Sequence, residues 1–258
     1  MTREEAEKIV YVAISIGEEL LASSAEVSRV EDTVTRILRA YGATRADVFS
    51  ITSSLEVTAH FGDFNTVTQT RRIRSINTDM AMIEALNRLS RMICSAEPRL
   101  TPEDALERFK KVRAETEAAA EKRSAMLQIV GYALVSGSFT VFFGGDIGDC
   151  IAGALIGVIL KLTETALGKV ITNRLLIALL WSLAGGVLAH LFVSAGLGHH
   201  SDLISIGNIM LFIPGIAFTN SIRDLFYGDT ITGLIRFCES IILAITIAVG
   251  FTAAGLIL

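Results

Sequence analysis

Three observations predict an α-helical integral membrane protein, with five transmembrane helices behind an N-terminal cytosolic α/β domain. Charge is unevenly divided: 18 of 23 Lys and Arg, and 20 of 27 Asp and Glu, fall before residue 125. The rest of the 258 residues is dominated by apolar runs near the ~20 residues that a helix needs to cross the hydrocarbon of a bilayer. From Asp47 the hydrophobic period changes from helical to two, so the charged part mixes helix and strand. Residues 1–124 therefore read as a soluble domain and residues 125–258 as a bilayer-embedded bundle.

Each part is mildly acidic, within a net charge of −4. There is no basic field, which excludes nucleic acid as a partner class. MTREEAEKIV is charged where a secretory signal would be apolar, so the soluble domain is expected in the cytoplasm. Cys94, Cys150 and Cys238 are odd in number and far apart, and read as free thiols.

In the soluble part, Ile9, Val10, Ala13, Ile14, Ile16, Leu20 and Leu21 mark a first helix, about 4–22. Ser23-x-x-Glu26 and Ser28-x-x-Glu31 both have the capping-box form ahead of a second helix, about 28–41, which Gly42 stops. VFSIT, SLEVTAHF and TVTQTRRI read as three strands, with turns at Ser53-Ser54 and Gly62-Asp63. Asn77-Thr78-Asp79 caps a third helix, about 80–95. Thr101-Pro102-Glu103-Asp104 opens a fourth, with an N-cap hydroxyl, proline at the first helical position and acids in the first turn. It is expected to run to Arg123 as a solvated stalk. Glu18, Glu19, Arg29, Glu31, His60 and Asp63 supply polar groups. They form no nucleophile–base spacing, no HExxH and no Gly-rich phosphate loop. The expectation is no enzyme, no catalytic residue, no cofactor and no metal. His60 reads as structural, and Glu18, Arg29 and Glu31 flank the first helix junction, where they are placed to pair.

The spans are placed at about 125–143, 150–167, 175–193, 203–222 and 231–258. The second is the weakest, since only Cys150–Leu160 is free of charge. It works if Lys161 snorkels to the cytoplasmic rim, with Glu164 three residues on. Basic residues alternate by loop. Lys110, Lys111, Arg113, Lys122 and Arg123 precede span 1; Lys161, Lys169 and Arg174 lie around the next cytoplasmic turn; Arg223 and Arg236 flank the last. GGDIGD and GLGHHSD contain none. This predicts a cytoplasmic N-terminus and an outside C-terminus. Gly153/Gly157, Ser182/Gly186, Gly185/Ala189 and Ala244/Ala248 have the small-residue spacing that permits close helix approach.

The fourth span is the most informative stretch. Its uncharged run Leu203–Ile222 carries Asn208, a Pro214-Gly215 break and Thr219-Asn220-Ser221. Arg223, Asp224, Asp229 and Arg236 follow, then Glu239 three residues past Arg236, spaced to pair with it. Polar groups and helix breakers at membrane depth are costly and usually face a cavity. A buried carboxylate can carry a proton, which makes Glu239 a candidate relay. The reading is a transport subunit whose substrate or ion path runs along Asn208, Pro214, Gly215, Thr219, Asn220, Arg223, Asp224, Asp229, Arg236 and Glu239. The cytoplasmic gate falls at Asn220–Asp229.

GEELL (17–21), SRVED (28–32), SLEVT (54–58) and, above all, IPG-x4-NSIRDL-x2-GD-x3-G-x2-R across Ile213–Arg236 carry a resemblance. With them the chain resembles the threonine/serine exporter family over nearly its whole length, and in particular the large subunit of its split two-component form. Ser24 stands where the family pattern has glycine. The resemblance implies a multi-pass protein of the bacterial or archaeal plasma membrane. It implies export of small hydrophilic metabolites (threonine/serine-type amino acids, or dicarboxylates such as succinate), driven by the proton motive force. It also implies a small, separately encoded membrane subunit, and homo-oligomers are a further expectation. Arg223 and Arg236 are suited to hold a carboxylate of either substrate class. Two other classes compete: a membrane-anchored enzyme or sensor active in residues 1–124, and an uncoupled channel subunit. An anchor has no need of Asn208, Glu239 or a broken helix.

Overall fold

The structure, a computed structural model, describes residues 2–62, 65–122, 125–167 and 173–257. Asp63 of the expected turn, Arg123 at the stalk end, Lys169 in the cytoplasmic charge set and Leu258 of the last span lie outside the described residues. The chain divides into two compact units. Unit 1 is Met1–Lys122 with Ala217–Phe237, and unit 2 is Arg123–Ile216 with Cys238–Leu258.

Unit 1 opens with α1 (Arg3–Ala22) and α2 (Val27–Ala40). Then come β1 (Arg45–Ile51), β2 (Ser54–Phe61) and β3 (Asn65–Arg72), an antiparallel meander in the order β1-β2-β3. Leu55, Val57, Ala59 and Phe61 alternate inward along β2, as a half-buried strand requires. α3 (Met80–Ser95) starts on the Asp79 cap, whose carboxylate accepts the Met82 N–H at 2.9 Å. α4 (Pro102–Lys122) starts on Thr101, whose hydroxyl accepts the Asp104 N–H at 3.1 Å. One apolar core joins Ile14 and Leu20 of α1, Val34 and Ile37 of α2, Leu55 of β2, and Leu86 and Ile93 of α3.

Two expectations need correction. α4 is no solvated stalk over its first turns, because Ala105 and Phe109 are buried in that same core. Neither capping box at the α1–α2 junction forms. Ser23 caps the C-terminus of α1, and Glu26 takes the α2 N-cap without a side-chain cap bond. Glu31 is drawn away by Ser50, whose backbone N–H and hydroxyl donate to it at 2.9 and 3.1 Å. Glu18 and Arg29 likewise pair elsewhere, with Arg71 and Glu26. His60 bonds across the sheet to the Thr66 hydroxyl at 2.9 Å.

Between α1 and α2, Ser24 has φ +69°, the left-handed region that a Cβ disfavours. Ser24→Gly is therefore expected to raise stability by about 0.5–1 kcal/mol, net of glycine's extra chain entropy. Thermal unfolding of the full chain in detergent checks this, and a lower midpoint for the variant would refute it.

Unit 2 contains α5 (Ala125–Phe142), α6 (Ile147–Leu167), α7 (Arg174–Ser194) and α8 (Ser201–Ile209). α9 (Gly215–Phe226) begins in it and continues into unit 1, while α10 (Thr230–Ile257) begins in unit 1 and continues into unit 2. Among the described residues, α5, α7 and α10 are long and apolar enough to cross a membrane. Large apolar side chains stand exposed along them, such as Leu134 and Phe142 on α5 and Ile245 and Val249 on α10. α6 has the length, but it carries Asp149, Lys161 and Glu164. The last two pair at 2.9 Å, and Glu164 also accepts from the Tyr132 hydroxyl at 2.8 Å.

The expected span 203–222 is not one helix. α8 ends at Ile209 and α9 begins at Gly215, so neither piece alone has the ~20 residues of a full crossing. The break falls where proline, lacking an N–H and restricting the residue before it, interrupts the helix.

Small residues set the close packing. A Cβ on Gly153 would lie 2.6 Å from Thr140 Oγ1, and one on Gly157 2.7 Å from the Tyr132 carbonyl oxygen, so α5 and α6 approach there. α7 and α10 meet at Gly186 against Ala254, and at Gly250 against Ser182. Ala244 and Ala248 are exposed instead, because α10 presents Leu243, Ile247, Phe251 and Ala254 to its buried face.

Candidate functional site

The polar residues expected to line one path fall into two separate settings. In unit 1, most of Asn220–Arg236 closes on the α1–α2 junction. The junction leaves backbone carbonyls at Ser24 and Ala25 that no helix ladder satisfies, and buried carbonyls require partners. Asn220 Nδ2 donates to the Ser24 carbonyl at 3.5 Å, and Arg236 Nη2 to the Ala25 carbonyl at 3.2 Å. Arg236 Nη1 bonds Asp224 Oδ2 at 2.9 Å, and Arg223 Nη1 bonds Glu26 Oε1 at 2.6 Å. Asp224 is 1% exposed and Arg236 7%, so theirs is a buried ion pair. Arg236 thus reaches twelve residues back, while Glu239 on the next turn is exposed.

Asp229 adjoins this pair, its backbone N–H donating to the Asp224 carbonyl at 2.9 Å. With Glu31, Asp32, Asp47 and Glu56 it lines an open cleft of about 620 Å³, beside Phe49 and Tyr227. Burial raises the carboxyl pKa of Glu31, opposed by the two Ser50 bonds, and burial also raises that of Asp229.

In unit 2, Asn208 is fully buried. Its Nδ2 donates to the Ile204 carbonyl at 2.9 Å, and its Oδ1 lies 2.8 Å from Ser136 Oγ on α5. The same hydroxyl lies 2.7 Å from the Gly153 carbonyl of α6. Ser136 therefore joins three helices, and Asn208, its partner on α8, sits one residue before the α8 terminus. Gly207 explains the fit, because a Cβ there would strike the Thr140 hydroxyl and come 2.8 Å from the Ser136 carbonyl oxygen and the Thr140 nitrogen. Pro214 follows in the break and Gly215 is the first residue of α9, where a Cβ would meet nothing within 4 Å. Thr219 is exposed on α9.

The structure therefore brings Asn220, Arg223, Asp224 and Arg236 together, and holds Asn208 among other partners. Sequence reasoning missed Ser136 and Gly207, and it missed Glu26, Ser24 and Ala25 as the partners of the Asn220–Arg236 segment. Spacing rules see neighbours three or four residues apart, and these contacts span tens to hundreds of residues. A hydroxyl in an uncharged span, as at Ser136, was the one available signal.

The family model ThrE, described as "Putative threonine/serine exporter", matches residues 11–258. Searches of curated proteins and of solved structures give no match. A family match of that extent, on a chain whose α5, α7 and α10 can each span a bilayer, makes this a multi-pass membrane protein that belongs to the threonine/serine exporter family.

Proposed function

We propose that the chain is the large subunit of a two-component exporter that moves small hydrophilic metabolites out of the cytoplasm, driven by the proton motive force. Its substrates on this reading are threonine/serine-type amino acids or dicarboxylates such as succinate. The family match over residues 11–258 carries the reading. The N-terminus and the α9–α10 turn lie on the cytoplasmic side of the cell membrane, and the C-terminus lies outside. Loop charges support this, as does the membership of Ala217–Phe237 in the same unit as the N-terminal domain. The chain crosses five times, with α6 as the second crossing. The fourth crossing is the broken α8–α9 segment, since α7 and α10 run in the same direction, as Ser182 against Gly250 and Gly186 against Ala254 have them, only if the chain returns between them.

Broken helices at membrane depth offer backbone polar groups to a substrate. Asn208 beside the break is the inner polar contact on this reading, and the exposed Thr219 and Arg223 belong to the cytoplasmic side. Glu239 faces outward from α10, where a second subunit or an aqueous path would cover it, and acts as the proton carrier.

Efflux from vesicles loaded with labelled threonine or succinate, with the full chain and its small partner, tests the whole reading. Gradient-dependent loss of one label is expected. Equal retention of both with and without the gradient would overturn it. Glu239→Gln is expected to lower gradient-driven efflux at least tenfold while leaving the amount of inserted protein unchanged. The same gradient dependence in that variant would remove Glu239 from the relay.

The acidic cleft of unit 1 favours a second reading, a sensor or enzyme in residues 1–124 held by a membrane anchor. Metabolite binding at the cleft that survives loss of transport in α8 and α10 variants would favour it.

A further inference from the structure

The two connections that lack Lys and Arg, GGDIGD before α6 and GLGHHSD before α8, come together within unit 2. Asp146 and Asp149 cap the start of α6 reciprocally. The Asp146 N–H donates to Asp149 Oδ2 at 3.1 Å, and the Asp149 N–H to Asp146 Oδ1 at 2.9 Å. Asp149 also accepts the backbone N–H groups of His199 and His200 on Oδ1, at 2.6 and 3.0 Å. His199 Nδ1 lies 2.6 Å from Asp146 Oδ2, and His200 Nδ1 lies 2.8 Å from Asp149 Oδ2. Two aspartates and two adjacent imidazoles thus converge from segments 50 residues apart.

The arrangement concentrates negative charge at these two connections. With neutral imidazoles, two carboxylates share one small volume, one of them 0% exposed, and Asp202 adds a third negative charge near His200. Like charges so close repel, and neither connection supplies a basic side chain other than histidine. Backbone N–H groups of Asp146, His199 and His200 already stabilise the Asp149 carboxylate, and a bound cation would balance the charge that remains.

Room beside the carboxylates is a separate observation. Glycines stand at both flanking positions: a Cβ on Gly198 would lie 3.1 Å from Asp149 Oδ1, and one on Gly148 3.1 Å from Asp146 Oδ1. Gly198 also has φ +143°. Side chains at either position would fill the space next to the acceptor oxygens.

We propose that Asp146, Asp149 and His199 form a divalent metal site, one that the family function does not assign. One ligand atom from each already lies within 4.8 Å of the others. Two carboxylate oxygens and an imidazole nitrogen suit a borderline ion such as Zn²⁺ or Mn²⁺, with water completing the shell. The ion takes the place of the proton between His199 and Asp146. His200 is a positioning residue, since its ring bonds Asp149 and orients that carboxylate. A metal here clamps the start of α6 to the turn that leads into α8, whose far end carries Asn208 and the helix break.

The test uses the full chain, purified in detergent with a tag free of histidine and stripped with chelator. Titration calorimetry with Zn²⁺ and with Mn²⁺, and the absorption spectrum of the Co²⁺ form, read occupancy and ligand field. One ion per chain is expected, with His199→Ala and Asp146→Asn each weakening binding at least tenfold and shifting the Co²⁺ bands. These two side chains are 69% and 46% exposed, so their loss leaves the fold intact and the reading does not rest on Asp149, which also caps α6. His200→Gln is expected to weaken binding about tenfold while leaving the stoichiometry unchanged. No saturable uptake by the wild-type chain, or equal affinity in both ligand variants, would overturn the proposal and leave the cluster a hydrogen-bonded latch.

Discussion

Asp224→Ala is expected to destabilise the protein by about 3–5 kcal/mol, the cost of leaving a buried charge without its partner. The guanidinium that loses its partner is Arg236, 7% exposed and held in place by the Ala25 carbonyl. The thermal midpoint of the full chain should fall by roughly 10 °C. A paired replacement separates architecture from transport. Asp224→Leu with Arg236→Met removes both charges and conserves bulk, and such swaps are often neutral. The double variant should recover most of the lost stability. If it folds and still exports, the pair serves the architecture of unit 1 alone. If it folds and does not export, the charges act on the substrate. An Asp224→Ala chain as stable as wild type would refute the burial argument itself.

Gly207→Val should have the second large effect, in unit 2. The added side chain would meet the Thr140 hydroxyl and the backbone of Ser136 and Thr140, which cannot turn aside as a flexible side chain can. Overpacking of this kind costs about 1–3 kcal/mol. It would also separate Asn208 from the Ser136 hydroxyl at 2.8 Å. Gly215→Ala is the contrast, since its Cβ would meet nothing within 4 Å. Size-exclusion yield and thermal midpoint in detergent distinguish the two. The Gly207 variant should be lost or aggregated while the Gly215 variant behaves as wild type, and equal behaviour would contradict the packing described.

Much of the fold was legible because it depends on local periodicity. α3 falls on the expected residues, and the three strands and α5, α7 and α10 follow their apolar patterns closely. The errors share a physical origin. Ser23, Glu26, Ser28 and Glu31 have capping spacing, but Arg223 and Ser50 compete for the two glutamates from elsewhere in the chain. Arg236 and Glu239 have pairing spacing, yet the guanidinium turns to a buried aspartate on another helix, where the low dielectric makes the interaction stronger. Charge density made α4 read as solvated, although two apolar residues on one face were enough to dock its start. Pro214 announced a break, but the pattern could not show that α8 and α9 would belong largely to different units. The His199–Asp146 convergence has no local signature at all.

The α1–α2 junction carries a consequence for biosynthesis. Its carbonyl at Ala25 is bonded by a guanidinium 211 residues later in the chain. On a ribosome adding ~5–20 residues per second, the junction emerges ~10–40 s before Arg236 does. During that interval the junction has water where Asn220, Arg223 and Arg236 will later bind, and unit 1 is an unfinished fold. Its completion waits until the intervening helices have been made, so unit 1 matures only in a chain already extended through most of unit 2.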